Sequence, residues 1–476
     1  MKLHFCAMRA GSAIVAAALM ATLILTACGG EAPSSSSGSQ ASSSQPSSSQ
    51  APSSQPSSSQ APSSQAPSSQ APSSQPSSSQ APSSQPSSSQ SPSTPDDDGI
   101  VWVTSENGDG TATLYGYSSE GEKPSGDLVI PSVINGQKIT KIGNSCFFDG
   151  QNMDTEIKSV TIPSTVTEIG EYAFAYCSEM TSVDLPNSLT QIDDYAFYNC
   201  ISLSNLSLPQ SIRTIGAYAF GGTIIETLVL PEGLKTVGGG AFSNMYIKAS
   251  LVSKTDPDKY MGSVEYGLKQ VTILGNTNFE SLTFQGCELL NKVTFSGQAS
   301  KITSLPDGMF DICTALSDVT LPSKLTSIGY GAFEDCTELT SIQLPSSVKT
   351  ISHHAFSRTG LTEITLPSSL TTLGFGAFQE TNLTQIAIPA GIKSIGTQTF
   401  FDCKSLKKIY IPSSVTTIKA RAFATSNGSA MSVDVAYGGS ESGWKAVTID
   451  SSNTGLSGNV EYNSSSAGLA SVFSLF

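Results

Sequence analysis

His353 and His354 stand side by side in a chain of 476 residues that holds only three histidines, so acid–base or metal chemistry would have to be built around them. Neighbours in an extended segment face opposite ways, and no third ligand stands at metal-binding spacing, so the pair reads as exposed turn residues. "GGG" at 238–240 is not followed by the Lys-Ser/Thr of a phosphate loop. "ENGDG" at 106–110 begins like a calcium loop but lacks the distal Glu, and reads as a turn. "DDD" at 96–98 reads as a solvated boundary. No nucleophile, base and orienting group can be assembled outside the recurring pattern, so neither enzyme activity nor a cofactor nor a metal is expected.

Composition points the same way. Charged residues are 13% of the chain, against about 25% in ordinary globular proteins. Ser, Thr and Gly stand in their place. A net charge of −14 and a pI near 4.7 leave no clustered cations for a phosphate backbone, which excludes a nucleic-acid partner.

The first residues read as an address. Lys2 and Arg9 precede the apolar run "AIVAAALMATLIL" at 13–25, too short for a comfortable membrane span, and "LTAC" follows at 25–28. That tetrapeptide resembles the bacterial lipobox, at which a leader is cut before a cysteine carrying diacylglycerol. The reading is a leader over 1–27 and lipidation at Cys28, whose acyl chains anchor the protein on the extracellular face of a bacterial membrane. An ordinary secretory leader with an incidental cysteine is the alternative. From Ala32 to Pro95 no residue is charged, and Gln recurs every fifth position from Gln40 to Gln90. Residues 28–98 should therefore be a disordered stalk with extended polyproline stretches, its ends about 45 Å apart as a flexible coil. It carries the next domain through a cell wall, with or without O-glycans, or it is simple repeat expansion.

Repetition governs the rest. The Phe of an "AF" pair or its equivalent returns at Phe174, Phe197, Phe220 and Phe242, then at Phe310, Phe333, Phe356, Phe378, Phe400 and Phe423. A proline precedes nine of these by a constant interval, for example Pro163 and Pro345, so the length variation lies after the Phe. Where Cys stands three residues beyond it the step is 23, and where Thr stands there it is 22. Each phrase holds an L-x-x-I-x-L strand such as Leu339, Ile342 and Leu344, ended by proline, then a second apolar alternation such as Val348 and Ile351. One coil cannot offset the backbone entropy of ordering itself, about 1–2 kcal/mol per residue, so neighbours must stack. Leu268, Val271, Ile273, Phe284 and Cys287 make a weaker copy, and Phe295 with Phe310 another.

Residues 243–267 interrupt this pattern and carry Tyr246, Tyr260 and Tyr266; they are either a binding insertion or a decayed repeat. Cysteines at matching points of adjacent coils, such as Cys177 with Cys200, or Cys287, Cys313 and Cys336, come within bridging range. Seven is an odd number and neighbouring coils offer Thr, so a ladder of buried thiols is the reading, with disulfides as the alternative.

"GDLVIPSVINGQKITKIGNSCF" at 126–147 and the L-x-x-[IV]-x-[LI]-P-x-x-[VLI]-x-x-I-G-x-x-A-F-x-x-C phrases resemble the BspA-type leucine-rich-repeat proteins of bacterial surfaces. The resemblance spans 99–463. It implies a β-rich leucine-rich-repeat solenoid of about twelve coils, opened by a hairpin at 101–117 and closed by a unit at 436–463 in which Trp444 covers the last coil, with a flexible tail at 464–476. It also implies a surface protein that binds matrix proteins or other cells, without catalytic residues. A structural surface component is the second reading. The candidate ligand contacts lie in "SLKKIYIP" at 405–412, where inward Leu406, Ile409 and Ile411 turn Lys407, Lys408 and Tyr410 outward together beside the uncharged row that includes Gln385. A protein or glycan on a host or neighbouring cell is the expected partner.

Overall fold

Twelve phenylalanines stand in single file: Phe147, Phe174, Phe197, Phe220, Phe242, Phe284, Phe310, Phe333, Phe356, Phe378, Phe400 and Phe423. Successive ring centroids are 4.9–5.8 Å apart and the planes lie within 23° of each other. The computed structural model describes residues 99–148, 156–244, 266–426, 431–453, 455–456 and 458–465, all within one compact unit. The leader, Cys28, the stalk, residues 245–265 of the insertion and the tail beyond 465 lie outside the described residues.

Each Phe is set by a double turn. The residue two before it has a left-handed backbone at Tyr172, Tyr195, Tyr218, His354, Gln398 and Arg421, and Gly takes that place at Gly240, Gly308, Gly331 and Gly376. The residue two after it is left-handed at Tyr176, Asn199, Ile312, Asp335, Arg358, Glu380 and Asp402. Each such non-glycine residue costs about 1–2 kcal/mol, which the turn recovers by donating to the next coil. Phe174 N–H donates to the Ala196 carbonyl at 2.8 Å, Phe197 to Ala219 at 2.8 Å, and Phe356 to Ala377 at 2.9 Å. Where alanine precedes the Phe, as at Ala173, Ala196 and Ala355, it is fully buried.

Two parallel β ladders flank this column. The shorter strands, such as Glu168–Ile169, Gln191–Ile192 and Thr214–Ile215, run in register from Gln137–Ile142 to Asn278–Phe279. That ladder resumes from Ser304–Leu305 to Thr372–Leu373, and again from Ser394–Ile395 to Thr448–Ile449. The leucine-rich strands pair from Gly126–Val129 to Ser182–Asp184, from Thr227–Leu230 to Asp318–Thr320, and from Gln385–Ala387 to Val460–Glu461. Where the short ladder lapses between Phe279 and Ser304, the leucine-rich ladder is intact, and the short ladder is intact where the leucine-rich strand at Asn205 shrinks to a single bridge. Between the coils of Phe378 and Phe400 both lapse, and those rings show the widest spacing of the file, 5.8 Å.

Serine closes the joints that backbone leaves open. In the Pro-x-Ser phrases that follow the strands the Ser donates to a carbonyl of the preceding coil: Ser188 to Val166, Ser211 to Leu189, Ser347 to Leu325, Ser369 to Val348 and Ser414 to Ile392, at 2.5–3.0 Å. A buried carbonyl left without a donor costs about 1–3 kcal/mol, which is why hydroxyls replace charge here.

Both ends are covered. Trp102 of the opening hairpin, Trp102–Glu106 with Thr111–Tyr117, is fully buried and meets Phe147 edge-on at 6.4 Å. At the other end the helix Glu441–Lys445 brings Trp444 against Tyr437, ring centroids 5.2 Å apart. The closing unit contributes a strand to each ladder, so the solenoid has about thirteen turns rather than about twelve.

Because the Phe356 ring sits flat between Phe333 and Phe378 with no exposed surface, Phe356→Ala should cost about 3–5 kcal/mol in urea unfolding. A loss below about 1 kcal/mol would mean that the file of rings is not the core.

Candidate binding surface

The chemistry-bearing side chains are mostly spent on stacking. The thiol of Cys200 reaches back one coil to the Phe174 carbonyl at 3.1 Å, Cys287 to Phe242 at 3.2 Å, Cys313 to Phe284 at 3.2 Å and Cys336 to Phe310 at 3.2 Å. Thr223, Thr359 and Thr381 cap instead the Phe carbonyl of their own coil, at 2.9–3.0 Å. The longer step therefore belongs to a donor that bonds the previous coil, and the shorter step to one that bonds its own. At the junction of the two habits, Thr381 and Cys403 share the Phe378 carbonyl, each at 3.0 Å. All seven cysteines of the folded unit are buried and unbridged. Burial pushes the thiols well up, that of Cys403 to about 11 despite the opposing bonds from Thr381. Such thiols are unreactive at neutral pH.

The other motifs are turns. Asp109 of "ENGDG" accepts from the N–H and hydroxyl of Thr111 at 2.9 and 2.6 Å, and these bonds lower its pKa. In "GGG", a side chain on Gly238 would collide with the Ala217 backbone of the preceding coil, and Gly240 holds a φ of +62°. His353 is exposed, whereas His354 is half-buried with a left-handed φ of 54°, and burial, Arg358 and His353 lower its pKa.

The outward rows of the leucine-rich ladder form the broad face left to solvent. In its centre Val229, Thr272, Thr294 and Thr320 align across four strands, beside Thr227, Gln270, Lys292 and Asp318. Lys292–Asp318 and Lys269–Glu226 pair at 2.7 Å and contribute little at such exposure. Toward the C-terminus, Gln385, Lys408 and Asp434 make one row, and Ala387, Tyr410, Ala436 and Glu461 the next. Leu406, Ile409 and Ile411 point inward as expected, and Lys408 and Tyr410 face outward, half-buried. Lys407 is exposed but precedes the strand Lys408–Ile411, so it does not share their row. Lys408 stands 3.6 Å from Glu461 and directly beside Asp434, so the patch is charge-compensated rather than cationic.

A family model for the BspA type leucine rich repeat region matches six copies over residues 140–255, 265–359 and 327–434. The chain belongs to the BspA type leucine rich repeat family. Among solved structures it is similar to a leucine-rich repeat protein from Bacteroides ovatus, with 24% identity over 77% of this chain and 89% of that one and a TM-score of 0.51. The pneumococcal vaccine antigen PcpA matches at 20% identity over 77% of this chain and 97% of its own, with a TM-score of 0.44. A leucine rich cell surface protein from Faecalibacterium prausnitzii matches at 22% over 77% and 100%, with a TM-score of 0.35. No curated protein matches the chain. In this BspA-type solenoid, sequence reading missed the aromatic residues along the Phe-turn edge. Aligning the repeats on the Phe exposes them, since Tyr172, Tyr195 and Tyr218 fall in one column and Tyr330, His353 and Phe375 in the next.

Thiol titration of the folded protein should find none of the seven cysteines of the unit, and titration after denaturation without reductant should find all seven. A shortfall in the denatured sample would show bridging or oxidation.

Proposed function

We propose that this is a surface-displayed binding protein, tethered through acyl chains on Cys28 and held away from the lipid by the stalk at 28–98. One juxtaposition carries the reading: a lipobox-like "LTAC", a charge-free Ser/Pro/Gln segment, and then a repeat scaffold whose outward rows are polar and open. The scaffold offers binding surface rather than catalysis, because its thiols and several hydroxyls are engaged as caps and the Glu334 carboxylate and Arg358 guanidinium are paired at 2.6 Å. The partner is a protein or glycan of a host or neighbouring cell. The adjoining rows that hold Gln385 with Lys408 and Tyr410, with Lys407 just before the strand, are the contact proposed on the strand face; Tyr410 stands between Ala387 and Ala436, which leaves its ring the largest side chain of its row. A structural surface component is the competing reading, and the Thr-rich centre of the face, which lacks aromatic anchors, favours it.

Replacing Cys28 by Ala should move the protein from the membrane fraction to the medium, and unchanged retention would remove the lipid anchor. A pull-down of host and bacterial surface extracts on the protein should capture a partner. The triple change Lys407→Ala, Lys408→Ala, Tyr410→Ala should abolish that capture with a nearly unchanged Tm. Capture that survives would move the contact elsewhere on the solenoid.

A further inference from the structure

The edge that carries the Phe turns holds two aromatic clusters of opposite kind. In the N-terminal half Tyr172, Tyr195 and Tyr218 stack face to face, 4.7 and 5.3 Å apart with planes within 12°. Their faces are consumed by one another. In the C-terminal half Tyr330, His353 and Phe375 occupy the position three residues before the core Phe, while the position two before reads Gly331, His354 and Gly376. A side chain on Gly376, whose φ is +58°, would meet the His354 ring at 2.8–2.9 Å, so the glycine makes room for the imidazole. His354 then wedges between its neighbours, edge to Tyr330 at 5.7 Å and 61°, and edge to Phe375 at 4.9 Å and 68°.

The wedge keeps the outer rings from stacking. His353 lies 6.5 Å from Tyr330 and 6.3 Å from Phe375, tilted 58° and 63° to them. Tyr330 is 50% exposed, His353 is exposed and Phe375 is half-buried, so aromatic side chains reach solvent on three consecutive coils. The rim is polar. Exposed Asp307 accepts the Tyr330 N–H through Oδ1 at 2.7 Å, which leaves its Oδ2 directed to other donors. Arg358, whose charge is felt by His354, is held by Asp335 and Glu334 and adds no net attraction for an anion.

We infer that Tyr330, His353 and Phe375 form a platform for the neutral pyranose rings of a glycan. A pyranose presents apolar C–H faces and a rim of hydroxyls. The faces suit the ring faces of Tyr330 and Phe375, and the hydroxyls suit the His353 imidazole and the Asp307 carboxylate. A protein partner would need about 800 Å² on this side, more than three aromatic side chains of about 150–250 Å² each provide. The inference rests on the binding-protein reading and gives it a ligand class and a second site, on a different edge from Lys408 and Tyr410.

The test titrates chitotetraose, cellotetraose and mannotetraose against the full chain by saturation-transfer NMR. At least one should receive saturation on its ring protons. Tyr330→Ala should weaken it by about tenfold or more, whereas Tyr330→Trp, which keeps a larger ring, should retain it. The triple change at Lys407, Lys408 and Tyr410 should leave it unaltered. Tyr330 is half-exposed, so its removal should spare the fold, and an equal Tm for the variant checks this. No transfer to any of the three sugars at about 10 mM, or an affinity untouched by Tyr330→Ala, overturns the platform. Tyr330-dependent capture of a protein from deglycosylated extract, without sugar binding, overturns it in favour of a protein dock. An extract partner captured equally by the wild type and by Tyr330→Ala leaves the binding-protein reading standing and removes only this site.

Discussion

A coil of twenty-two or so residues cannot satisfy its own backbone, and this constraint sets everything else in the molecule. Its turns direct N–H groups along the solenoid axis, as Phe174 does to Ala196 and Phe356 to Ala377, so each donor needs the next coil as its acceptor. A coil without neighbours would bury unpaired polar groups at about 1–3 kcal/mol each. Carbonyls that no N–H reaches are met by short donors instead: Ser347 on Leu325, Cys313 on Phe284, Thr359 on Phe356. Long charged side chains cannot perform this task inside a joint, and the low charge of the chain follows from it.

The three columns do not share the load evenly. The Phe file is unbroken from Phe147 to Phe423, while the two ladders lapse in different places. Where one ladder lapses the other stays hydrogen-bonded, between Phe279 and Ser304 and again at Asn205. Between Phe378 and Phe400 both flanks open, and there the shared Phe378 carbonyl, bonded by Thr381 and Cys403 together, reinforces the joint. Both ladders stay in register across 243–267, so the lapses lie elsewhere in the repeat.

Much of this was legible in the sequence because the repeat is its own alignment. The Phe file, the inward set Leu406, Ile409 and Ile411 and the thiol ladder follow from spacing, and both caps follow from the family resemblance. The link between Cys or Thr and the length of the step was visible as a correlation, but its cause was not, since it depends on which coil's carbonyl the side chain reaches. The surroundings of Lys407, Lys408 and Tyr410 were hidden for a related reason. The strand begins at Lys408, and the acidic neighbours Asp434 and Glu461 come from the closing unit, some twenty-six and fifty-three positions later in the chain.

Where a ligand can bind follows from which positions stacking has already used. The L-x-x-I-x-L set, the Ala-Phe pair and the Ser, Thr and Cys caps are committed to the joints. The outward strand rows and the two positions before Ala-Phe remain. Among the latter, a column of like rings stacks and withdraws its faces, as Tyr172, Tyr195 and Tyr218 do. A column interrupted by glycine does not, because Gly376 leaves space for the His354 ring, which packs T-shaped against both Tyr330 and Phe375. Glycine in a repeat thus serves two purposes. At one position it relieves the left-handed turn, and for the neighbouring column it decides whether an aromatic side chain becomes part of the scaffold or stays available to a partner.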